Sequence, residues 1–275
     1  MTVTVSIADL PTPAAAASLR LRDELLRILG DELVGMWLHG GTTFADRPAR
    51  AGDLDVCAVI SDATPEERRP PRWRADPASR PSRIFAAQEA IGRADAVAFD
   101  ALYLLADEVR SGKLPSRAFR RSHREVGWPV YRAHWLAGQY VPLHGCRPEE
   151  LVVPPTRTEL LGAIDREVEH LERHVLEGDA ADPFEATYAI LNGCRILYTL
   201  QTGSPVISKR SAGAWGLDHL PAQWHAAIRA ATRSYDAQGT VDDNELLRLT
   251  MAPFVVSVRE QLPMIPSRTG VPRWS

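Results

Sequence analysis

Three cysteines in 275 residues, at no regular spacing, exclude a disulfide framework and fit a reducing compartment. No run of about 18 uninterrupted apolar residues occurs, so no helical membrane span is expected. Met1 to Leu10 has neither a basic start nor a long apolar centre, so no secretory leader is expected. A basic excess is also missing. Lys and Arg number 32 against 35 Asp and Glu, a net charge of −3, which argues against a nucleic-acid surface. The arginines are clustered all the same, with Arg68, Arg69, Arg72, Arg74, Arg80 and Arg83 in one group and Arg117, Arg120, Arg121, Arg124 and Arg132 in another. No internal repeat is visible. The remainder, 45% hydrophobic and 24% charged, is ordinary for a globular chain of one large or two small domains.

Leu33 to Ile60 carries the chemistry. Val34 to His39 is a short apolar run that ends at Gly40-Gly41. A polar excursion follows, with Pro48 and Gly52, then Asp53-Leu54-Asp55 and the apolar run Val56 to Ile60. Residues alternate faces in a strand, so Asp53 and Asp55 point one way while Leu54, Val56, Ala58 and Ile60 point into a core. Adjacent carboxylates repel, and such a pair is tolerated when something positive sits between them. Oxygen-only ligands suit a hard cation, and Mg²⁺ typically takes one or two carboxylates plus substrate phosphates. A glycine turn lets backbone N–H groups approach phosphate oxygens. An isolated Asp-x-Asp is commonly a solvated loop pair; the order strand, Gly-Gly, spacer, Asp-x-Asp, strand is what favours a metal-dependent nucleotide site.

That order resembles the signature of the nucleotidyltransferase superfamily. The chain departs from it at Gly41, where the family usually has a serine that helps hold the triphosphate; Thr42 or Thr43 could substitute. Ala96 to Val109 reads as a further strand in which Asp100 interrupts the otherwise apolar stretch before Asp107 and Glu108. This segment resembles the strand of streptomycin/spectinomycin-type aminoglycoside adenylyltransferases that supplies a third carboxylate. The resemblance puts Asp100 at the family's catalytic Glu, one methylene shorter. It also makes Trp128 a candidate acceptor contact.

The flanking segments fill in the first half. Pro13 to Gly30 reads as an amphipathic helix, Asp62 to Pro81 as a charged surface loop, and Ser82 to Gly92 as a short helix capped by Ser82. Ser111 to Trp135 reads as irregular and basic, and Tyr140 to Pro155 as a crossing at a domain boundary. Five helices are then expected, over Thr158 to Glu177, Pro183 to Thr202, Ser208 to Leu220, Pro221 to Gln238 and Asp243 to Leu262, followed by a frayed tail from Pro263. His170 and His174, four apart, lack a third ligand at a familiar spacing, which favours a surface or structural role.

The second half extends the resemblance. Cys194 to Thr199, Thr202-Gly203, Ser208-Lys209, Trp215, Leu217 to Pro221 and Tyr235 are similar to segments of the same family. The resemblance implies that Arg195, Lys209 and Tyr235 bind ATP from the helical side, and that Glu185, with Asp182, lies at an acidic acceptor position. The family's streptomycin-selecting Trp has no equivalent in the preceding linker.

The implied fold is α+β, with a mixed-sheet nucleotidyltransferase domain over residues 1–153 and an antiparallel helical bundle over 154–275. The implied activity is Mg²⁺-dependent transfer of AMP from ATP to a hydroxyl of an aminoglycoside-like acceptor. Asp53, Asp55 and Asp100 would be catalytic and metal-binding, with Gly40, Gly41, Thr42, Arg195, Lys209 and Tyr235 on the nucleotide. Transfer to another hydroxylated metabolite or a macromolecule, or a nucleotide-binding relic without catalysis, are the alternatives. The expected setting is a cytoplasmic monomer that takes a small cationic partner and no nucleic acid or membrane.

Overall fold

The structure, a computed structural model, describes residues 5–47, 53–63, 76–113, 127–177 and 182–263. Helix α1 (Thr12–Leu29) opens the chain, with Pro13 in its first turn and Gly30 closing it. Its buried stripe of Ala14, Ala17, Leu21, Leu25 and Leu29 packs beside strand β1 (Leu33–His39). Strand β2 (Leu54–Ile60) lies antiparallel to β1 and parallel to β3 (Phe99–Leu105). Strand β4 (Val141–Gly145) completes the order β3-β2-β1-β4 on the far edge of β1.

Both faces of β2 are covered, which explains its unbroken apolar run. Val56, Ala58 and Ile60 face α1 and helix α2 (Arg80–Asp95), together with Leu21, Leu25, Ile84, Phe85 and Tyr103. Cys57 and Val59 face a second cluster built on Trp37, Trp128, Trp135 and Tyr140. Helices α3 (Ala106–Ser111), α4 (Trp128–Leu136) and α5 (Pro148–Leu151) pack on that second side.

The helical lobe follows as α6 (Arg157–Glu177), α7 (Pro183–Thr202), α8 (Lys209–His219), α9 (His225–Tyr235) and α10 (Val241–Glu260). Helix α7 is central. Ala186, Ala189, Ile190, Leu191, Cys194 and Leu197 are buried among residues of the other four helices. Arg132 of α4 joins the lobes. It is 1% exposed and donates to Glu159 Oε1 of α6 at 2.5 Å and to Val153 O at 3.2 Å. Among the described residues no helix is long and apolar enough to cross a membrane.

Several boundaries differ from the sequence expectation. Helix α2 begins at Arg80, capped by Ser79 rather than Ser82, because Pro81 suits a first helical turn. The strand expected over Ala96 to Val109 stops at Leu105, where α3 begins. Part of the segment taken as irregular, Trp128–Leu136, is helical, and the expected crossing starts as β4. A 3₁₀ turn at Ala222–Trp224 delays α9 to His225. The arginines at 68–74 and 117–124, most of the charged loop and the tail after 263 lie outside the described residues.

Candidate active site

Three carboxylates meet at one end of the sheet. Asp55 stands opposite Asp100 in the parallel β2–β3 register, and Asp53 immediately precedes β2, whose Leu54 N–H donates to Ala98 O at 2.8 Å. Parallel pairing places equivalent positions side by side, so Asp55 and Asp100 share a face, and Asp53 joins them by the two-residue period. Each offers an oxygen within 4.8 Å of the others. Among the described residues this is the only cluster of three or more potential metal ligands. An all-carboxylate donor set fits Mg²⁺, which favours hard oxygen ligands.

The glycine turn is built against one of these carboxylates, Asp55. Gly40–Thr43 forms a 3₁₀ turn directly after β1. Gly40 has φ +69°, and a Cβ there would lie 1.9 Å from Asp55 Oδ2. Both facts call for glycine. Gly41 is different. A Cβ there would meet only the Tyr235 hydroxyl, at 3.8 Å, so space does not force the absence of a side chain. The hydroxyls of Thr42 and Thr43 donate to His39 O at 3.1 Å and Gly40 O at 2.8 Å. These bonds tie the turn to its own backbone.

Basic groups face this cluster from the helical lobe. Lys209, the first residue of α8, has its ammonium 4.9 Å from the Tyr188 ring centroid and 5.6 Å from that of Tyr235. Burial, and then the Arg195 charge, push its pKa down to about 8, against the pull of Asp55 and Asp53. Arg195 of α7 donates to Asn192 Oδ1 at 3.2 Å, while its buried Nε has no partner among the described residues. A buried cation with an unused donor fits an anionic ligand.

Two residues here escaped the sequence reading. Glu167 of α6 accepts from the Tyr188 hydroxyl at 2.8 Å and from Asn192 Nδ2 at 3.2 Å. Burial and the Glu167 carboxylate raise the Tyr188 pKa, so the phenol stays protonated and acts as the donor. The available signal was an acid set within the apolar stripe of α6, beside Ile164, Val168 and Leu171. His39 was read only as the end of a strand. It is 2% exposed, pairs with Asp55 across β1–β2, and packs against Tyr131 and Trp135. Burial, with the nearby His134, pushes its pKa down to about 3, so it is a neutral imidazole.

The acceptor candidates divide. Trp128 is 3% exposed, rests edge-on against Trp135, and donates its indole N–H to Gly112 O at 3.3 Å. It packs the core of the sheet lobe, and this placement replaces the expectation that it touches an acceptor. Asp182 is exposed and caps α7 by accepting from Phe184 N at 2.8 Å. Glu185 is half-buried, with Oε2 3.5 Å from His174 Nδ1. His174 and His170 meet at 3.1 Å between their Nε2 atoms, and the edge of His170 approaches Tyr188. The two histidines therefore belong to the neighbourhood of Glu185 and Glu167.

A mixed sheet carrying three clustered carboxylates and a glycine turn thus stands against a helical lobe that presents Arg195 and Lys209. Residues 150–260 match the family model described as aminoglycoside adenylyltransferase, C-terminal domain. Among solved structures, the chain resembles spectinomycin adenyltransferase AAD(9) from Enterococcus faecialis, crystallised with ATP and spectinomycin. Identity is 18% and the TM-score 0.61, over 89% of this chain and 98% of that one, which establishes a common fold.

Proposed function

We propose that the chain transfers AMP from ATP to a hydroxyl of an aminoglycoside-like acceptor, with Mg²⁺ held by Asp53, Asp55 and Asp100. The observation that carries this reading is the convergence of those carboxylates opposite Lys209 and Arg195. It is supported by the adenylyltransferase C-terminal domain and by the ATP and spectinomycin bound to the structural relative. Backbone N–H groups of Gly40, Gly41 and Thr42 receive the terminal phosphates. Arg195 and Lys209 supply fixed positive charge, and Tyr235 flanks the nucleotide beside Gly41.

The acceptor oxygen attacks the α-phosphorus of ATP. As that bond forms, the bond from the α-phosphorus to the oxygen bridging to the β-phosphate breaks, and pyrophosphate leaves. Asp100 takes the hydroxyl proton when the acceptor hydroxyl lies within hydrogen-bond reach of its carboxylate. Asp53, Asp55 and Asp100 would hold Mg²⁺, which would neutralise charge gathering on the phosphate oxygens. Glu167 and Glu185 give the helical face the negative charge that an ammonium-bearing acceptor requires.

Pyrophosphate release from ATP and Mg²⁺, measured against streptomycin, spectinomycin and further aminoglycosides, tests the reading. Turnover with at least one acceptor, abolished by Asp53→Asn, is the expected result. Binding of MgATP without turnover on any acceptor, unaltered by Asp100→Asn, would instead identify a nucleotide-binding relic. Turnover confined to hydroxylated compounds without amino groups would reassign the acceptor class.

A further inference from the structure

We propose that Asp46 is a positioning residue that latches the glycine-turn loop to the first turn of α8, and thereby sets where Lys209 stands relative to Asp53 and Asp55. The inference rests on the nucleotidyl-transfer reading of this site. Asp46 lies between the glycine turn and the Asp-x-Asp pair. Its Oδ2 accepts from Ser208 Oγ at 2.5 Å and from Ser211 Oγ at 2.7 Å. Ser208 is already the N-cap of α8, accepting from Ser211 N at 2.9 Å, so local capping is complete without Asp46. The carboxylate arrives from 162 residues away in sequence. What it adds is attachment between the lobes, by charge-assisted hydrogen bonds at the positive end of a helix.

The sheet lobe reaches the same segment a second time, through His134 of α4. The Phe44 ring stands edge-on to His134, 5.6 Å between centroids, and His134 Nε2 bonds Pro205 O at 2.8 Å. His134 is buried and neutral, its pKa pushed down to about 3 mainly by burial, so Nε2 must carry the proton donated to that carbonyl. The run from Pro205 to Ser211 is therefore held from the sheet lobe at both ends, and Lys209 lies inside it. Ser208 and Ser211 sit three apart on one face of the helix, which is why a single oxygen can take both hydroxyls.

The test uses the full chain and three variants: Asp46→Ala, Asp46→Asn and Ser211→Ala. Calorimetry gives the MgATP dissociation constant, steady-state kinetics give KM for ATP and for acceptor, and amide exchange reports on residues 205–211. Asp46→Ala should weaken MgATP binding about 10-fold or more, leave acceptor KM within about twofold, and speed exchange across 205–211 in the nucleotide-free protein. Asp46→Asn should recover most of the binding, because an amide oxygen can accept both serine hydroxyls. Ser211→Ala should fall between wild type and Asp46→Ala. Unchanged exchange at 205–211 in Asp46→Ala overturns the latch whether or not ATP is the substrate. So does wild-type MgATP binding by that variant, a parallel loss in both KM values with a lowered Tm, or an Asp46→Asn variant as weak as Asp46→Ala. If the wild-type chain binds no MgATP, the nucleotidyl-transfer reading fails first and takes the latch with it.

Discussion

Replacing Gly40 by Ala separates a backbone cost from a catalytic one. Left-handed φ costs a residue with a Cβ roughly 1–2 kcal/mol, and Gly40 has φ +69°. For a chain of this size that is a loss of about 2–8 °C in Tm. The added methyl would also lie 1.9 Å from Asp55 Oδ2, 2.6 Å from Cγ and 3.0 Å from Cβ of the same side chain. Ordinary contact demands more, so the Asp55 carboxylate must move by more than about 1 Å. The obstacle is a side chain and not backbone, so the fold can absorb it by turning Asp55 away. A displacement of that size in a reacting constellation costs about 100-fold in rate, or about 2.7 kcal/mol of barrier. Gly30→Ala is the matched control. Gly30 has φ +54°, but nothing lies within 4 Å of its would-be Cβ, and it closes α1 away from the carboxylates. Melting curves and pyrophosphate release on both variants decide the matter. Both should lose a few degrees, and only Gly40→Ala should lose activity. Full kcat/KM in Gly40→Ala, or equal activity loss in the two variants, would refute the placement of Asp55 in the reacting site.

Other outcomes follow from the same geometry. Gly41→Ser has room, with only the Tyr235 hydroxyl at 3.8 Å from the new Cβ, so it should fold like wild type and bind MgATP as tightly or a few-fold more tightly; a weakening beyond about 10-fold would show that the turn cannot accept a side chain. Lys209→Met should hold or raise Tm at pH 7 while raising KM for ATP about 10-fold or more, because it removes a cation that burial and Arg195 disfavour. The folded pKa of about 8 lies below the ordinary 10.5, so between these values the unfolded chain holds a proton that the folded one lacks. Stability from this group should therefore rise with pH across that window, while MgATP affinity falls above about pH 8. Glu185→Gln should raise KM for a cationic acceptor several-fold and leave KM for ATP unchanged; an unchanged acceptor KM would remove Glu185 from that face.

The sheet-side carboxylates were legible because they obey a local rule. Asp53 and Asp55 share a face by strand period alone, and Asp100 stood out as the one acid in an apolar strand. Gly40 was legible as a turn, but its close approach to Asp55 was not, since that distance depends on how β1 leaves the sheet beside β2. Helix α7 matched its expected bounds because Pro183 and Gly203 punctuate it at both ends. Strand β4 was missed because the whole of Tyr140 to Pro155, with prolines as its final pair, was read as one crossing; Pro142 is accommodated on an edge strand, where a missing ladder donor costs less. Trp128 became a candidate only through the family resemblance, by its distance from the third carboxylate, whereas α4 turns it into a core where Arg132 stacks over its ring at 5.5 Å. The Asp46 bonds to Ser208 and Ser211 were out of reach, because nothing local links residues so far apart.

The charge distribution of the site favours one class of acceptor. Asp53, Asp55 and Asp100 face two cations, Lys209 and Arg195, with Glu167 hydrogen-bonded beside them. The acids outnumber the bases, and MgATP brings further net negative charge into the same space. A neutral sugar would leave that excess uncompensated, whereas an acceptor carrying several ammonium groups supplies the missing positive charge as it docks. Affinity for such an acceptor should therefore rise when MgATP is already bound, and by reciprocity the acceptor should tighten MgATP by the same factor. Calorimetric titration in both orders measures this directly. Acceptor affinity independent of MgATP would show that the carboxylates are compensated by some other means, and would weaken the case for a polycationic substrate.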